Sequence, residues 1–423
     1  MVRSFSSILQ AFAVASFLLP RDFGLYALAM SYVGIVFAVL DFRTSEAAIK
    51  FGADALHAGR KRELGILAAA LFLLDAAKAA GGALIIAATA WPVSALFYGE
   101  PELAWPLTLL ALYQVFMAFN PTMTAFLRIA GRYRLISWYD GLFGPLSLCV
   151  VGATAYATGS LSHVAVAYAA TGLVGALVKA VMCRIVFPVP IRPRELMRDL
   201  LGWRRVDLPW RQMAGFIFHV SLTTTLRYFS KNLDVLILGK FVSAESVGIY
   251  SLTRRLAMLL AYFFDPLSIV IYPEMARLSA EGDTNRLRRL FVQITGYATA
   301  AVLVGFAVLA VSSRWLVLVL FGEHYAAVPG ILWLFMPGVV FILGFFSVYH
   351  LLLALRRTGT IFIGTVIQLL ATLVCIPPLA WQWQAPGTAI GYSAALIIPG
   401  LYYLVVLWRL FARNELSQSA AVS

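Results

Sequence analysis

Long apolar runs separated by short polar breaks make up almost the whole chain. Twelve such runs can be read, at 5–19, 24–49, 64–91, 103–127, 137–158, 161–185, 212–241, 246–275, 290–314, 327–354, 359–381 and 386–411. Most hold the about 20 residues that an α-helix needs to cross a hydrocarbon core. Pro121, Pro145, Pro266 and Pro337 fall inside runs. In a membrane bundle neighbouring helices can satisfy the carbonyls that a proline frees, so these positions predict kinks rather than ends. The pattern predicts an all-α polytopic membrane protein of about 12 transmembrane helices.

Composition agrees and excludes other classes. The 423 residues are 61% hydrophobic and 13% charged, with a mean hydropathy of +0.85. Soluble domains average roughly 45–50% apolar and about 25% charged, so disorder and a soluble α/β enzyme are excluded. The net charge of +13 does not mark a nucleic-acid binder, because the basic residues sit in short loops between the apolar runs. Arg60-Lys61-Arg62, then Arg128, Arg132 and Arg134, follow the second and fourth runs. Arg192, Arg194, Arg198, Arg204, Arg205 and Arg211 follow the sixth, and Arg277, Arg286, Arg288 and Arg289 the eighth. Arg356 and Arg357 follow the tenth, with Arg409 and Arg413 at the end. The opposite loops carry only Arg21, Lys240 and Arg314, an asymmetry of twenty to three. The positive-inside rule then places both termini in the cytoplasm.

Cys149, Cys183 and Cys375 all lie inside apolar runs. Their odd number and their spacing support neither a disulfide framework nor a metal site, and they read as small core residues. No phosphate-binding loop, paired catalytic carboxylates or nucleophile elbow is present, so ATP-driven transport and hydrolysis have no support and no cofactor is expected.

The two halves superpose at a constant offset of 224 residues. Phe5-Ser6 falls on Phe229-Ser230, Phe17 on Phe241, Gly24-Leu25-Tyr26 on Gly248-Ile249-Tyr250, and Asp41 on Asp265. Trp91 and Leu96-Phe97 fall on Trp315 and Leu320-Phe321. A shared Gly-x-Tyr with an acid at one further spacing is hard to produce by apolar bias alone. Six spans thus repeat as six in parallel orientation, a secondary-transporter architecture. The expected organisation is an N-terminal six-helix lobe at 1–187, a basic cytoplasmic linker at 188–211 and a C-terminal six-helix lobe at 212–423. Leu196, Leu200, Leu201, Trp203 and the arginines of 186–211 suggest a short amphipathic surface helix or a solvated linker. Against the repeat the first helix is short, roughly 22 Å for 5–19. It is either truncated or begun upstream; a signal peptide is the less favoured reading.

Two stretches carry a family resemblance. LLPRDFGLYALAMSYVGIVFAVLDF in the first half, and KNLDVLILGKFVSAESVGIYSLTRRLAMLL followed by YPEMARLSAEGDTNRLRRLF in the second, resemble the Wzx-like polysaccharide transporters. These are flippases for lipid-linked oligosaccharides in the multidrug/oligosaccharidyl-lipid/polysaccharide exporter superfamily. The resemblance covers essentially the whole chain and is strongest at 225–290. It implies two six-helix bundles in a V around a central cavity lined by the first, second, seventh and eighth helices. It further implies a bacterial inner-membrane protein with a lipid-linked oligosaccharide as cargo, membrane lipids around it, and the polysaccharide polymerase machinery as a partner. The chain is expected to act as a monomer and not as an enzyme.

Charges inside membrane spans are costly and mark function by default. Arg227, Lys231 and Asp234 recur at i, i+4 and i+7, on one face of the seventh span. Arg254 and Arg255 lie at similar depth in the eighth, roughly 12–15 Å from the outer ends. Arg227, Lys231, Arg254 and Arg255 are therefore the expected substrate-binding residues of a cationic cavity, with pairing of Lys231 to Asp234 or Arg254 to Asp265 as the alternative. Asp41, Asp234 and Asp265 are expected as coupling or pairing acids. Arg43, Glu46 and Lys50 read as a self-paired group, and Asp75 and Lys78 as an ion pair. Lys179 stands alone, and His219 and His350 read as packing residues.

Three functions compete. A flippase moving an undecaprenyl-pyrophosphate-linked oligosaccharide for O-antigen, capsule or exopolysaccharide synthesis suits a cationic cavity. A multidrug or cation antiporter of the same superfamily needs a surplus of the opposite sign. A membrane glycosyltransferase or polymerase needs a sizeable outer loop, and the outer loops here are short.

Overall fold

A computed structural model of the chain describes residues 2–186 and 209–412. Among these residues the chain is helical nearly throughout, with no strand. In order the helices are α1 (Val2–Phe17), α2 (Pro20–Val39), α3 (Thr44–His57), α4 (Lys61–Pro92), α5 (Ala104–Met117), α6 (Asn120–Ile129), α7 (Tyr133–Thr158) and α8 (Leu161–Val186). Then follow α9 (Trp210–Phe241), α10 (Ala244–Ala257), α11 (Ala261–Ala280), α12 (Thr284–Phe321), α13 (Val328–Gly344), α14 (Phe346–Ala354) and α15 (Thr358–Ala412). Residues 188–208 of the expected linker, with its amphipathic helix, lie outside the described residues.

Among the described residues eight helical stretches are long and apolar enough to cross a membrane, α5 with α6 and α13 with α14 each forming one, and nine when the pair bent by 47° around Asp265 is taken as one span. The other expected spans depart for local reasons. α1 is apolar but has only 16 residues. α9 carries Arg227, Lys231, Asp234 and Lys240. α15 is two helices run together across a kink at Trp383 and Gln384, where Gln384 has φ 51°. Gly387 lies against the Leu379 carbonyl and Gly391 against Ile376, while the Tyr403 hydroxyl donates to the Ile361 carbonyl at 3.1 Å. The two parts of α15 therefore form an antiparallel hairpin. Proline falls where these breaks begin: Pro121 opens α6, and Pro386 follows the kink in α15. A proline in the first turn forfeits no helical hydrogen bond.

Element boundaries repeat with the sequence. α1 ends at Phe17 and α9 at Phe241, α2 begins at Pro20 and α10 at Ala244, and α5 begins at Ala104 and α13 at Val328, each pair 224 residues apart.

The chain divides into two compact units whose borders cut through helices. Unit 1 comprises Met1–Leu18 and Leu28–Tyr228, and unit 2 comprises Leu19–Ala27 and Phe229–Ser423. In unit 1, α1 packs on α7, α5 on α8, and α3 on α4 and α6. Its core joins Ala47, Leu64, Leu67, Leu71, Phe126, Cys183 and, from α9, Met213. Small residues permit the close helix approach that lipid-embedded bundles use: Gly172 faces Tyr113, and Gly175 faces Phe143 and Tyr139. Cys149, expected in the core, is exposed on α7; an apolar residue on the outside of a membrane bundle meets lipid rather than protein.

In unit 2, α13 packs on α12 and α15, and α11 on α14. Met275, Leu278, Leu287, Leu351, Leu352 and Leu407 form much of its core. Its tightest crossing joins the start of α2 to the start of α10. A Cβ at Gly24 would lie 1.7 Å from the Ala244 carbonyl oxygen, and one at Gly248 would lie 2.0 Å from that of Pro20. These contacts exchange under the repeat, since Gly24 corresponds to Gly248 and Pro20 to Ala244. The Gly-x-Tyr signature thus owes its glycine to a backbone crossing that admits no side chain.

Overpacking of this kind costs about 1–3 kcal/mol. Gly24→Ala and Gly248→Ala should each lower the thermal unfolding temperature of detergent-purified protein. Gly215→Ala should not, because no atom lies within 4 Å of the added methyl. Equal stability of all three would show that the crossing is loose.

Candidate functional site

α9 and α10 are joined by a tight turn capped by Ser243, whose hydroxyl accepts from the Ser246 amide at 3.3 Å. The hairpin brings the last third of α9 beside α10, so Asp234 faces the Tyr250 and Arg254 that occupy successive turns of one face. Asp234 is fully buried. It accepts the Tyr250 hydroxyl at 2.6 Å and Arg254 Nη1 at 2.5 and 2.6 Å through its two oxygens. The same nitrogen donates to the Lys231 carbonyl at 3.0 Å. The guanidinium lies 5.7 Å from the Tyr392 ring centre, and aromatic contacts among Tyr250, Phe335 and Tyr392 close the surroundings. A carboxylate away from water is tolerable only when its lone pairs are used, and here both oxygens are.

The structure therefore partners Asp234 with Arg254, not with Lys231. Asp265 belongs to no such pair with Arg254 that can be stated, because its side chain lies outside the described residues. Lys231 is exposed on α9, and Arg227 is half-buried one turn earlier. Arg255 projects about 100° round the helix from Arg254; it is half-buried, with its guanidinium 5.9 Å from the Phe23 ring centre. Arg254 is held in place by the acid, while Lys231 and Arg255 reach the surface of their own helices.

Unit 1 handles its charges differently. Between α2 and α3 the backbone turns through Arg43 at φ 47°. Lys78 of α4 reaches across to Asp41 at 2.8 Å, and Arg43 lies 3.6 Å from the same acid while also binding Glu46. The expected Asp75–Lys78 pair does not form, because Lys78 is committed to Asp41. Asp75 is instead only 2% exposed and accepts the Thr44 hydroxyl at 2.7 Å; Thr44 in turn accepts that of Thr122 at 2.7 Å. Lys50 stacks on Phe216, 4.3 Å from the ring centre. Lys179, fully buried, donates to Thr124 at 3.0 Å and sits 3.9 Å from the Tyr139 ring centre. His350 contacts the Phe346 carbonyl at 3.1 Å and the Phe346 ring, and His219 is exposed.

Two cavities accompany these groups. One of about 570 Å³ in unit 1 is lined by Asp41, Phe42, Leu74, Trp210, Ser221 and Thr225 among others. The second, of about 480 Å³ in unit 2, is almost wholly apolar and includes Phe263, Leu267, Tyr297 and Phe346.

Tyr250, Thr44 and Thr122 are the functional partners that the charge pattern alone did not single out. Tyr250 was present in the repeat signature, but nothing in its spacing named Asp234 as its acceptor. The threonines carried no signal, since hydroxyls are common in apolar helices and usually donate to their own backbone.

Comparisons with known proteins follow the geometry. The profile of a family described as "Polysaccharide biosynthesis protein" matches residues 13–329. No curated protein matches the chain in sequence. Among solved structures, an inward-facing multidrug resistance MATE family transporter of the MOP superfamily is similar at a TM-score of 0.72 and 15% identity, covering 100% of this chain and 96% of that one. Lipid II flippase MurJ in an inward closed conformation has a TM-score of 0.68 at 14% identity, covering 100% and 90% respectively. A mutant of the Vibrio cholerae MATE transporter VcmN has 0.62 at 16%, covering 98% and 97%. At these identities the likeness establishes a shared fold.

Breaking a buried ion pair by removing one partner costs roughly 3–5 kcal/mol, whereas removing both with apolar replacements is often nearly neutral. Arg254→Leu and Asp234→Leu should each reduce the amount of folded protein, and the double variant should recover most of it. Fluorescence-detected size exclusion would measure this; additive losses would show that the two residues do not form a unit.

Proposed function

The chain belongs to the polysaccharide biosynthesis protein family, and from that premise we propose that it is a flippase for an undecaprenyl-pyrophosphate-linked oligosaccharide in the bacterial inner membrane. The family match over 13–329 carries this reading, together with a fold shared with a lipid II flippase and with multidrug transporters. Cargo of this class has an anionic head, a hydrated glycan and a long apolar tail.

Arg227, Lys231, Arg254 and Arg255 are assigned to the pyrophosphate. Cations near low-dielectric walls attract phosphate more strongly than in bulk water, and guanidinium offers paired donors matched to phosphate oxygens. Their roles divide. Arg254, fixed by two bonds to Asp234, holds local geometry and charge, while Lys231, Arg255 and Arg227 supply the adjustable contacts. A transporter must also release its cargo, which several moderate contacts allow better than one deep trap. The surplus positive charge opposes cationic drugs as the main cargo. Polymerase components are assigned as partners on the same family reading.

The test is translocation in proteoliposomes of purified protein with a labelled pyrophosphate-linked oligosaccharide, scored by access of an external glycosidase. Arg255→Ala and Lys231→Ala should lower the rate at least about tenfold, equivalent to 1.4 kcal/mol, with insertion unchanged. Asp at either position should be worse than Ala. Export of cationic dyes without movement of the oligosaccharide would replace this function by the multidrug one.

Orientation is assigned from the loop charges, with both termini cytoplasmic. Single cysteines at Ala58 and Glu323, in a cysteine-free background, should label from the inside and the outside respectively. Labelling of both from one side would overturn the assignment.

A further inference from the structure

Among the described residues of unit 1, Asp75 is a fully enclosed acid that forms no ion pair. It lies midway along α4 and is 2% exposed. Its Oδ1 accepts the Thr44 hydroxyl, while its Oδ2 is buried with no hydrogen-bond partner. Lys78, one turn along the same helix, gives its ammonium to Asp41 at 2.8 Å. An acid buried within a span with one oxygen unpartnered marks a functional site by default, and binding a proton is one of the uses such acids have.

We propose that Asp75 is a proton-binding site, and that the Thr122–Thr44–Asp75 hydrogen-bond chain links its protonation to the break between α2 and α3. The inference rests on the transport reading for its purpose, though not for its chemistry. With the acid ionised, hydroxyl protons run from Thr122 to Thr44 to Oδ1, as the 2.7 Å contacts show. With the acid protonated, the chain reverses: the carboxyl donates to Thr44, and Thr44 donates to Thr122. Thr122 then turns to the Ala118 carbonyl four residues back, just ahead of α6, by the i−4 geometry in which Thr124 donates to Asn120 at 2.8 Å. Each hydroxyl keeps a donor role and an acceptor in both states, so a proton is taken up at one carboxyl without orphaning the threonines. Without the proton, the carboxylate is held by threonine hydroxyls, with Oδ2 unpartnered.

The link to conformation is positional. Thr44 is the first residue of α3 and follows Arg43, whose left-handed backbone makes the break. The acid therefore anchors the start of α3 to α4 and, through Thr122, to α6. The charges whose fields reach it are Lys78 on its own helix and Asp41 at the break, opposite in sign. Arg43 binds Glu46 and Asp41, Lys50 lies over Phe216, α5 carries no charge, and Arg128 ends α6. The 570 Å³ cavity has Asp41, Leu71 and Leu74 in its wall, which brings its lining within a turn of Asp75 on α4.

Infrared difference spectra of cargo-free protein in lipid nanodiscs, taken between about pH 5 and about pH 8, read the site without transport. Acidification should raise a protonated-carboxyl band that Asp75→Asn lacks. In proteoliposomes the same variant should flatten the pH dependence of oligosaccharide translocation. Should Asp75→Asn fail to fold, Thr122→Val keeps the acid and should move the band's midpoint by about one pH unit. An identical band in wild type and Asp75→Asn, or an unmoved midpoint in Thr122→Val where that variant is needed, would overturn the proposal. A titrating Asp75 band in a protein that moves no oligosaccharide would uphold the proton site and sink the flippase reading. Translocation without the band would do the reverse.

Discussion

A polar group placed in hydrocarbon has no water to bind, and each one left unpaired costs several kcal/mol. This constraint decides why the chain is helical, since a helix satisfies its backbone within the segment. It also decides where the breaks fall, because a carbonyl freed at a kink must be met by a neighbour. The charged side chains obey it as closely. Asp234 has Tyr250 and Arg254, Asp41 has Lys78, and Lys179 has Thr124 and the face of Tyr139. Asp75 departs from it, with Oδ2 buried and without a hydrogen-bond partner.

The two halves of the chain share boundaries and differ in chemistry. At the common offset Asp234 corresponds to Gln10 and Arg254 to Met30. In unit 2 the position is an ion pair locked by a tyrosine; in unit 1 Gln10 donates to Ser147 at 3.2 Å and ties α1 to α7. A repeat preserves helix ends because turns and close crossings are set by backbone geometry. It is freer to vary the side chains that bind, because their partners can change together.

The two units settle their charges in different ways. Unit 2 fixes Arg254 on Asp234, with Lys231 exposed on α9 and Arg255 half-buried beside Phe23. Unit 1 keeps its ion pairs internal and ties Asp75 of α4 to Thr44 at the start of α3. Asp41 and Arg43 sit at the break between α2 and α3, whereas Asp75, Lys179 and Asp234 lie within helices.

Much of this was legible before any coordinate. Apolar runs and the 224-residue repeat determine a polytopic helical protein and the positions of its intramembrane charges, because hydrophobic length and helical period are local properties of the chain; breaks inside the runs, such as that between Val39 and Thr44, were not legible. The resemblance at 225–290 pointed to the family that the profile match bears out. Spacing along one helix also placed Arg227, Lys231 and Asp234 on one face. What it left open was partnership. Asp75 and Lys78 sit three residues apart, yet Lys78 turns to Asp41, 37 residues away, and Asp75 to Thr44. Asp234 takes Arg254, not the nearer Lys231. A charge chooses the partner that best replaces lost water, and in a packed bundle that partner is set by which helices cross and how closely. Only the tertiary structure decides those crossings.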